Sequence, residues 1–406
     1  MTNRDAAIKV IKRLRKEGCQ GLLAGGCVRD MLLKRTAKDY DVATDAHPSD
    51  VIKFFRRTIK IGAKFGVVMV CIGPQQVEVA TFRTETGYAD GRRPDKVEFS
   101  DAKADAARRD FTINGMFYDP VEKQIIDFVN GQADLKKRII RTIGTAYKRF
   151  GEDYLRMLRA VRFAAQLDFE IERHTWSAIC KHAGRISKIS AERVAMELEA
   201  ILTNPNRYKG VNLLVKSGLA DAIFRDFSEE NTIFGINVLQ KLRKKVGFPL
   251  ALAAFFADCK PDFALKKARA LKLSNAQIKH LRFLLQNRSG LLNADMSLAK
   301  LKTILASPFF RDLYELQRAI QKAQHLPVTA LTTIKKRAAA LKGKDLQPKP
   351  LLNGHELIAL GAQPGPMVGL LAEEMYIAQL AEQLITPEQA KRWAKKWLAG
   401  HRRLRQ

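Results

Sequence analysis

Asp39 and Asp41 stand two residues apart in the run Lys38-Asp39-Tyr40-Asp41-Val42-Ala43. Read as a strand over 39–43, this run points both carboxylates to one side, because alternate side chains of a strand share a face. Hard oxygen ligands on one face suit divalent cations. Two such ions can activate an attacking hydroxyl and steady a leaving pyrophosphate. An Asp-X-Asp alone is common in solvent-facing loops. Shortly before it, however, comes Gly25-Gly26-Cys27-Val28-Arg29-Asp30. Gly25 and Gly26 let the backbone approach a ligand closely. The helix expected from Val28 to Leu33 offers free N–H groups to a phosphate, and Arg29 adds a charged fork. Alone, a Gly-Gly turn before a helix is usually just a turn; the two features in succession are much more specific. A third carboxylate is expected from a neighbouring strand. Glu78, an acid in the otherwise apolar Val77-Glu78-Val79, fits that role and fits equally an ordinary outward-facing position.

Two further constellations suit a nucleotide. In Arg108-Arg109-Asp110-Phe111-Thr112-Ile113-Asn114 the arginines can meet a triphosphate, and Asp110 and Asn114 can meet a ribose hydroxyl. The bland alternative is a salt-bridged helix start. In Glu152-Asp153-Tyr154-Leu155-Arg156, Asp153 and Arg156 are three apart and on a helix would share one face. Together they present an acceptor beside donors. C and A each offer an exocyclic amine donor next to a ring-nitrogen acceptor; U and G offer the reverse. Such a pair can admit C and A and reject U and G without a template, since a mismatch in a closed site strands unpaired polar groups. Arg159 and Arg162 continue the spacing towards phosphates. A charged helix face held by Glu/Arg pairs would show the same pattern.

These groups need a scaffold. Ala7, Ile8, Ile11 and Leu14 recur at helical spacing in residues 5–17, and Gly18 and Gly21 bracket a break before a short apolar piece at Leu22–Ala24. Val67–Ile72 and Gln76–Phe82 read as strands separated by Gly73-Pro74. The first ~145 residues therefore read as a small α/β unit with a mixed sheet. Beyond Tyr147 the strand signals fade. A helix is expected over 150–167, and another over 190–202, capped by Ser190 with Arg193 and Glu197 on its polar face. Helical hairpins follow, one with Ser274 as N-cap. Residues 343–350 read as a linker, and Lys391–Arg405 carries seven basic residues and no acid.

Composition narrows the partner. The chain has 406 residues and a formal net charge of +29, from 71 Lys+Arg against 42 Asp+Glu. That surplus attracts polyanions, although a merely basic surface would show it too. No stretch approaches the roughly 18–20 apolar residues of a membrane span, so nucleic acid leads over membrane. Cys19, Cys27, Cys71, Cys180 and Cys259 are scattered without a CxxC pair, which argues against a zinc site or a disulfide framework. No apolar signal-peptide core follows Met1. The expected compartment is the cytoplasm.

GGCVRD (25–30), DYD (39–41), RRDFTIN (108–114), EDYLR with RAVRF (152–163) and the helix ERVAMELEAIL (192–202) occur in that order. In these motifs the chain resembles the class II tRNA nucleotidyltransferase and bacterial poly(A) polymerase family of the polymerase beta superfamily. The resemblance implies an α+β chain with a catalytic head at 1–145. A helical neck at 146–205, a body at 206–340 and a basic tail at 341–406 would follow, holding nucleotide and RNA. It implies Asp39 and Asp41 as Mg²⁺ ligands, and Gly26, Arg29, Arg109, Asp153, Arg156, Arg159 and Arg162 as nucleotide contacts. The implied substrates are CTP, ATP and the 3′ end of tRNA. Members add C, C and A, or part of that triplet, or many A residues. Thr81–Phe99 looks like the intact flexible loop of members that add the final A, and 353–366 (NGHELIALGAQPGP) resembles tails of CCA-adding members. No His-Asp dipeptide marks the family's optional phosphohydrolase domain. The strong positive charge leaves polyadenylation as a rival, and a non-catalytic tRNA-binding protein is the alternative of another class.

Overall fold

The computed structural model describes residues 1–62, 66–87, 96–343 and 345–403. The chain packs as two compact units, Met1–Glu229 with Lys266–Leu273, and Glu230–Leu265 with Ser274–Gln406.

The first unit opens with α1 (Asn3–Lys16), β1 (Gly21–Ala24), α2 (Gly26–Leu32), β2 (Asp41–Thr44) and α3 (Pro48–Phe54). Next come β3 (Thr58–Gly62), β4 (Val67–Ile72), β5 (Gln75–Thr81), and the hairpin β6 (Arg83–Thr86) and β7 (Lys96–Phe99). Then follow α4 (Ala102–Arg108), β8 (Phe117–Asp119), β9 (Gln124–Ile126), α5 (Gly131–Lys137) and β10 (Ile139–Ile140). Seven strands form one sheet in the order β3-β4-β5-β2-β1-β8-β9. It is mixed because β2 and β5 run parallel while the other pairs are antiparallel. Thr2 and Asp5 close a capping box on α1, satisfying N–H groups that a helix start leaves unpaired. Its buried stripe is Ala6, Ala7, Val10, Ile11 and Leu14; Ile8 of the expected set is only half-buried. Leu22, Ala43, Ala106 and two rings in edge contact at 5.8 Å, Phe82 and Phe117, form a core beneath the sheet.

Helices take over with α6 (Ala146–Glu152), α7 (Leu155–Leu167), the short β11 (Glu170–Ile171), α8 (Arg173–His182), α9 (Ala191–Leu202), α10 (Arg207–Lys216) and α11 (Leu219–Ile223). Beyond them lie α12 (Glu229–Lys241), α13 (Phe248–Phe255), α14 (Pro261–Ala270), α15 (Asn275–Asn287) and α16 (Leu298–Ala306). The chain ends with α17 (Phe310–Ala323), α18 (Thr329–Ala340), α19 (Gly354–Ala359), α20 (Pro366–Leu380) and α21 (Pro387–Arg403). Ser274 caps α15 as expected, in a capping box with Gln277. Leu357, Leu371, Met375, Ala390, Ala394 and Leu398 give the last three helices a shared core. Lys391, Arg392, Lys395 and Lys396 stay exposed on α21. Among the described residues no helix is long and apolar enough to cross a membrane.

Three boundaries depart from the sequence reading. The helix after the glycines begins at Gly26 rather than Val28, because Gly25 at φ +74° turns the chain directly into it. The strand expected from Asp39 begins at Asp41, the residue paired with the last position of β1, Ala24. Asp39 therefore precedes the strand, and the two carboxylates are not alternate residues within it. The single helix expected over 150–167 is two helices. Asp153 interrupts it in an extended conformation (φ −146°, ψ 103°), and its Oδ1 accepts the Leu155 N–H at 3.0 Å where α7 begins. Residues 88–95 of the loop read as Thr81–Phe99, and Lys344 of the expected linker, lie outside the described residues.

Candidate active site

Sheet register brings the first motifs to one edge. Ala24, the end of β1, lies opposite both Asp41 and Phe117. The chain then turns at Gly25, whose N–H donates to the Met116 carbonyl at 3.1 Å. Val42 pairs with Val79 in the parallel strands, so Asp41 and Glu78, one residue earlier on each, stand level.

A cavity of about 470 Å³ opens at this edge. Gly25, Gly26, Arg29, Asp41, Arg109, Asp110, Asn114, Asp153, Arg156 and Arg159 of the expected set line it. Two features favour glycine at 25. Its φ is positive, and a Cβ there would meet Arg109 Nη1 at 2.9 Å. Arg29 is nearly buried; its Nη1 donates to Asn114 Oδ1 at 2.8 Å, and its Nε and Nη2 to Asp30 Oδ1. Asn114 in turn donates to Asp110 Oδ1 at 3.1 Å, while Asp110 Oδ2 accepts two bonds from Arg159 at 2.6 and 2.8 Å. Burial alone would raise the Asp110 carboxyl; the Arg159 guanidinium and these hydrogen bonds hold it below its ordinary value. The acceptor expected for a ribose hydroxyl is thus also the anchor of Arg159. Arg162 does not line the cavity. It pairs with Glu197 at 2.8 Å and lies over the Phe163 ring at 4.4 Å, supporting a ring that does line it.

Asp153 and Arg156 both face the cavity, but from the helix break and the first turn of α7 rather than from one helix face. Both hydrogen bonds of Arg156 come from Nη1, to the Arg149 carbonyl and Glu152. Its Nε and Nη2 remain as donors. Asp153 Oδ2 accepts from Arg193 Nη2 at 2.7 Å and keeps a lone pair.

Asp41 also lines a second cavity, of about 400 Å³, with Asp39, Glu78, Tyr40 and Gln76. Enclosure by the cleft walls, then the charges of Glu78 and Asp39, push the Asp41 carboxyl from 3.8 up to about 6, with Arg109 opposing. Asp41 as a whole nonetheless remains exposed to solvent, at the mouth of both cavities. Among the described residues no three His, Cys, Asp or Glu side chains converge as a ready-made chelate. Asp39, Asp41 and Glu78 instead line one cavity without meeting at a single point. That fits a cation which takes one or two carboxylates and completes its shell with substrate oxygens and water.

Sequence reasoning missed two supports. Asp105 (side chain 2% exposed) grips Arg108 at 2.7 Å and Arg109 at 3.0 Å. Burial would raise its carboxyl, but the two guanidiniums hold it low. An acid three and four residues before adjacent arginines on a helix was the available signal. Arg193 was visible only as part of a polar helix face; its role depends on α9 meeting the break at Asp153.

Residues 22–141 match the family model described as the poly A polymerase head domain. Residues 168–230 match the probable RNA and SrmB-binding site of polymerase A. A CCA-adding enzyme of Lactobacillus johnsonii is 35% identical over 382 residues, covering 92% of each chain. One from Lactococcus lactis is 44% identical over 213 residues, about half of each chain. The Bacillus stearothermophilus CCA-adding enzyme, solved in complex with CTP, superposes with a TM-score of 0.83 at 27% identity over 99% of both chains. Nucleotidyltransferases built on this head are generally metal-dependent. The chain belongs to the CCA-adding enzyme family of nucleotidyltransferases.

Proposed function

We propose that this protein adds C, C and A to the 3′ end of tRNA from CTP and ATP, releasing pyrophosphate at each step. The observation that carries the reading is one cavity walled by triphosphate-type cations (Arg29, Arg109), a base-reading pair (Asp153, Arg156) and Asp41. The RNA 3′-hydroxyl oxygen forms a bond to the α-phosphorus, and the bond from that phosphorus to the pyrophosphate oxygen breaks. Gly25 and Gly26 admit the phosphates close to the backbone, and Arg29 and Arg109 neutralise them. Asp153 accepts from the exocyclic amine of C or A, and Arg156 donates to the adjacent ring nitrogen. Asp39 and Asp41, with Glu78 beside them, are the ligands proposed for Mg²⁺, which when bound eases ionisation of the hydroxyl and neutralises the leaving pyrophosphate.

The division into head (1–145), neck (146–205), body (206–340) and tail (341–406) belongs to the same proposal. So does RNA-backbone binding by the exposed cations of α21, which should weaken steeply with salt. Five free cysteines support a reducing, cytoplasmic setting.

Transcripts lacking CCA, ending in C and ending in CC, each given CTP, ATP or both, test the reading. All three should grow to one discrete CCA end on a sequencing gel. Growth of only the CC-ended RNA by one A would restrict the activity to A addition. A long A ladder would make it a poly(A) polymerase, and no growth would leave a tRNA-binding protein.

Arg193 enters as a positioning residue. Removing it frees the Asp153 carboxylate to swing, so Arg193→Ala should raise KM for CTP and ATP and increase U and G incorporation about tenfold. Arg193→Lys should recover part of the discrimination. Unchanged selectivity in Arg193→Ala would show that Asp153 needs no such support.

A further inference from the structure

The first unit holds another cavity, of about 420 Å³, that the catalytic reading leaves unused. Arg141, Thr145, Tyr147, His174, Ser177 and Lys181 line it, from the loop before α6, the first turn of α6, and α8. Tyr147 is 57% exposed, yet its ring is backed. It packs on the buried His182 ring at 4.2 Å, and His182 Nε2 lies 3.2 Å from the Tyr147 carbonyl oxygen. Tyr154 supports the same histidine from 5.6 Å. A braced aromatic surface with an open side is what a nucleobase stacks on.

The charges narrow the ligand. Arg141 is committed to Asp134 at 3.0 Å and Glu172 at 3.6 Å. Lys181 is exposed and makes no ion pair among the described residues. One uncommitted ammonium, hydroxyls from Thr145 and Ser177, and one ring suit a base with a single phosphate. The lining holds far fewer cations than the six arginines of the first cavity, too few for a triphosphate, and the volume lies in the ordinary range for a small ligand. Position points to RNA. Tyr147 lies in the first turn of α6 and Asp153 follows its end, so the two cavities are joined by a seven-residue helix, roughly 10 Å long.

We infer that this cavity holds one nucleotide of the RNA strand, its base stacked on Tyr147 and its phosphate on Lys181. The inference rests on RNA being the substrate. A free nucleotide shares the chemistry, so both sources must be tested.

The test is fluorescence anisotropy of a labelled tRNA transcript lacking CCA, titrated with the wild type, Tyr147→Ala, Tyr147→Phe and Lys181→Ala. Tyr147→Ala should weaken binding on the order of tenfold, and Tyr147→Phe, which keeps the ring, should not. Lys181→Ala should reduce the slope of log affinity against log salt by about one. In incorporation assays the Tyr147→Ala effect should fall on KM for RNA rather than on kcat. Wild-type affinity in Tyr147→Ala would overturn the inference. Displacement of RNA by free CMP that is lost in Tyr147→Ala would assign the cavity to a free nucleotide and overturn the RNA assignment. Absent incorporation by the wild type would count against the CCA-adding reading, and the affinity comparison would still judge this site.

Discussion

Asp41→Ala should reduce nucleotide incorporation on the order of a thousandfold or more, while binding of a tRNA transcript stays within about twofold, because charge on the phosphate backbone dominates affinity. Asp41 is the one residue common to the arginine-lined cavity and the carboxylate-lined one, so its loss removes an expected cation ligand without touching the basic surfaces. The same carboxyl sets a pH dependence. Its value is raised from 3.8 to about 6 in the folded chain, so protons compete with a cation below that pH. The Mg²⁺ concentration for half-maximal activity should be flat above about pH 6 and climb towards tenfold per unit below it. A carboxyl raised in the folded state makes ionisation unfavourable there, so cation-free protein should lose stability as pH rises from about 4 to 6, and added Mg²⁺ should restore it. Thermal melts with and without the ion measure this. Retained activity in Asp41→Ala, or a metal requirement whose midpoint stays near pH 4, would refute the assignment.

Asp153→Ala has the second-largest expected effect, on choice rather than on speed alone. With the acceptor gone, the amine of C or A loses its partner and U or G no longer meets a repelling carboxylate. The ratio of kcat/KM for CTP and ATP over UTP and GTP should fall by about 10² or more. Folding should suffer less, by about 1–3 kcal/mol, since Arg193 and the Leu155 N–H lose one partner. Specificity constants for all four nucleotides, with a melting curve as control, separate the two effects. A preserved preference for C and A would mean that some other group reads the base.

What the sequence revealed and what it hid have different physical origins. Local pattern carried α1, β4, β5 and the cap at Ser274, because burial periodicity and capping act over a few residues. The glycine turn, the two aspartates and the paired arginines were legible because those residue types are unusual at such spacings. The break at Asp153 was missed because a short acidic side chain can cap the next helix as readily as sit within one; here Oδ1 takes the Leu155 N–H while Arg193, forty residues away, holds Oδ2. Arg159 and Arg162 look equivalent as neighbours in a helical repeat. Only packing shows that one anchors to Asp110 in the cavity while the other pairs behind Phe163. The start of β2 was misplaced because strand pairing, not alternation, decides where a strand begins.

Asp105 fixes Arg108 and Arg109 through protein contacts alone. The rotamer freedom of two long side chains, on the order of 2 kcal/mol each, is thereby surrendered during folding, and in the proposed function a triphosphate arriving later meets cations already in place. Such a surface is as ready for the pyrophosphate that leaves as for the nucleotide that enters. By microscopic reversibility, the fold that makes addition easy also lowers the barrier to pyrophosphorolysis. The net direction of the reaction must therefore be imposed from outside the site, by the relative concentrations of nucleotide and pyrophosphate.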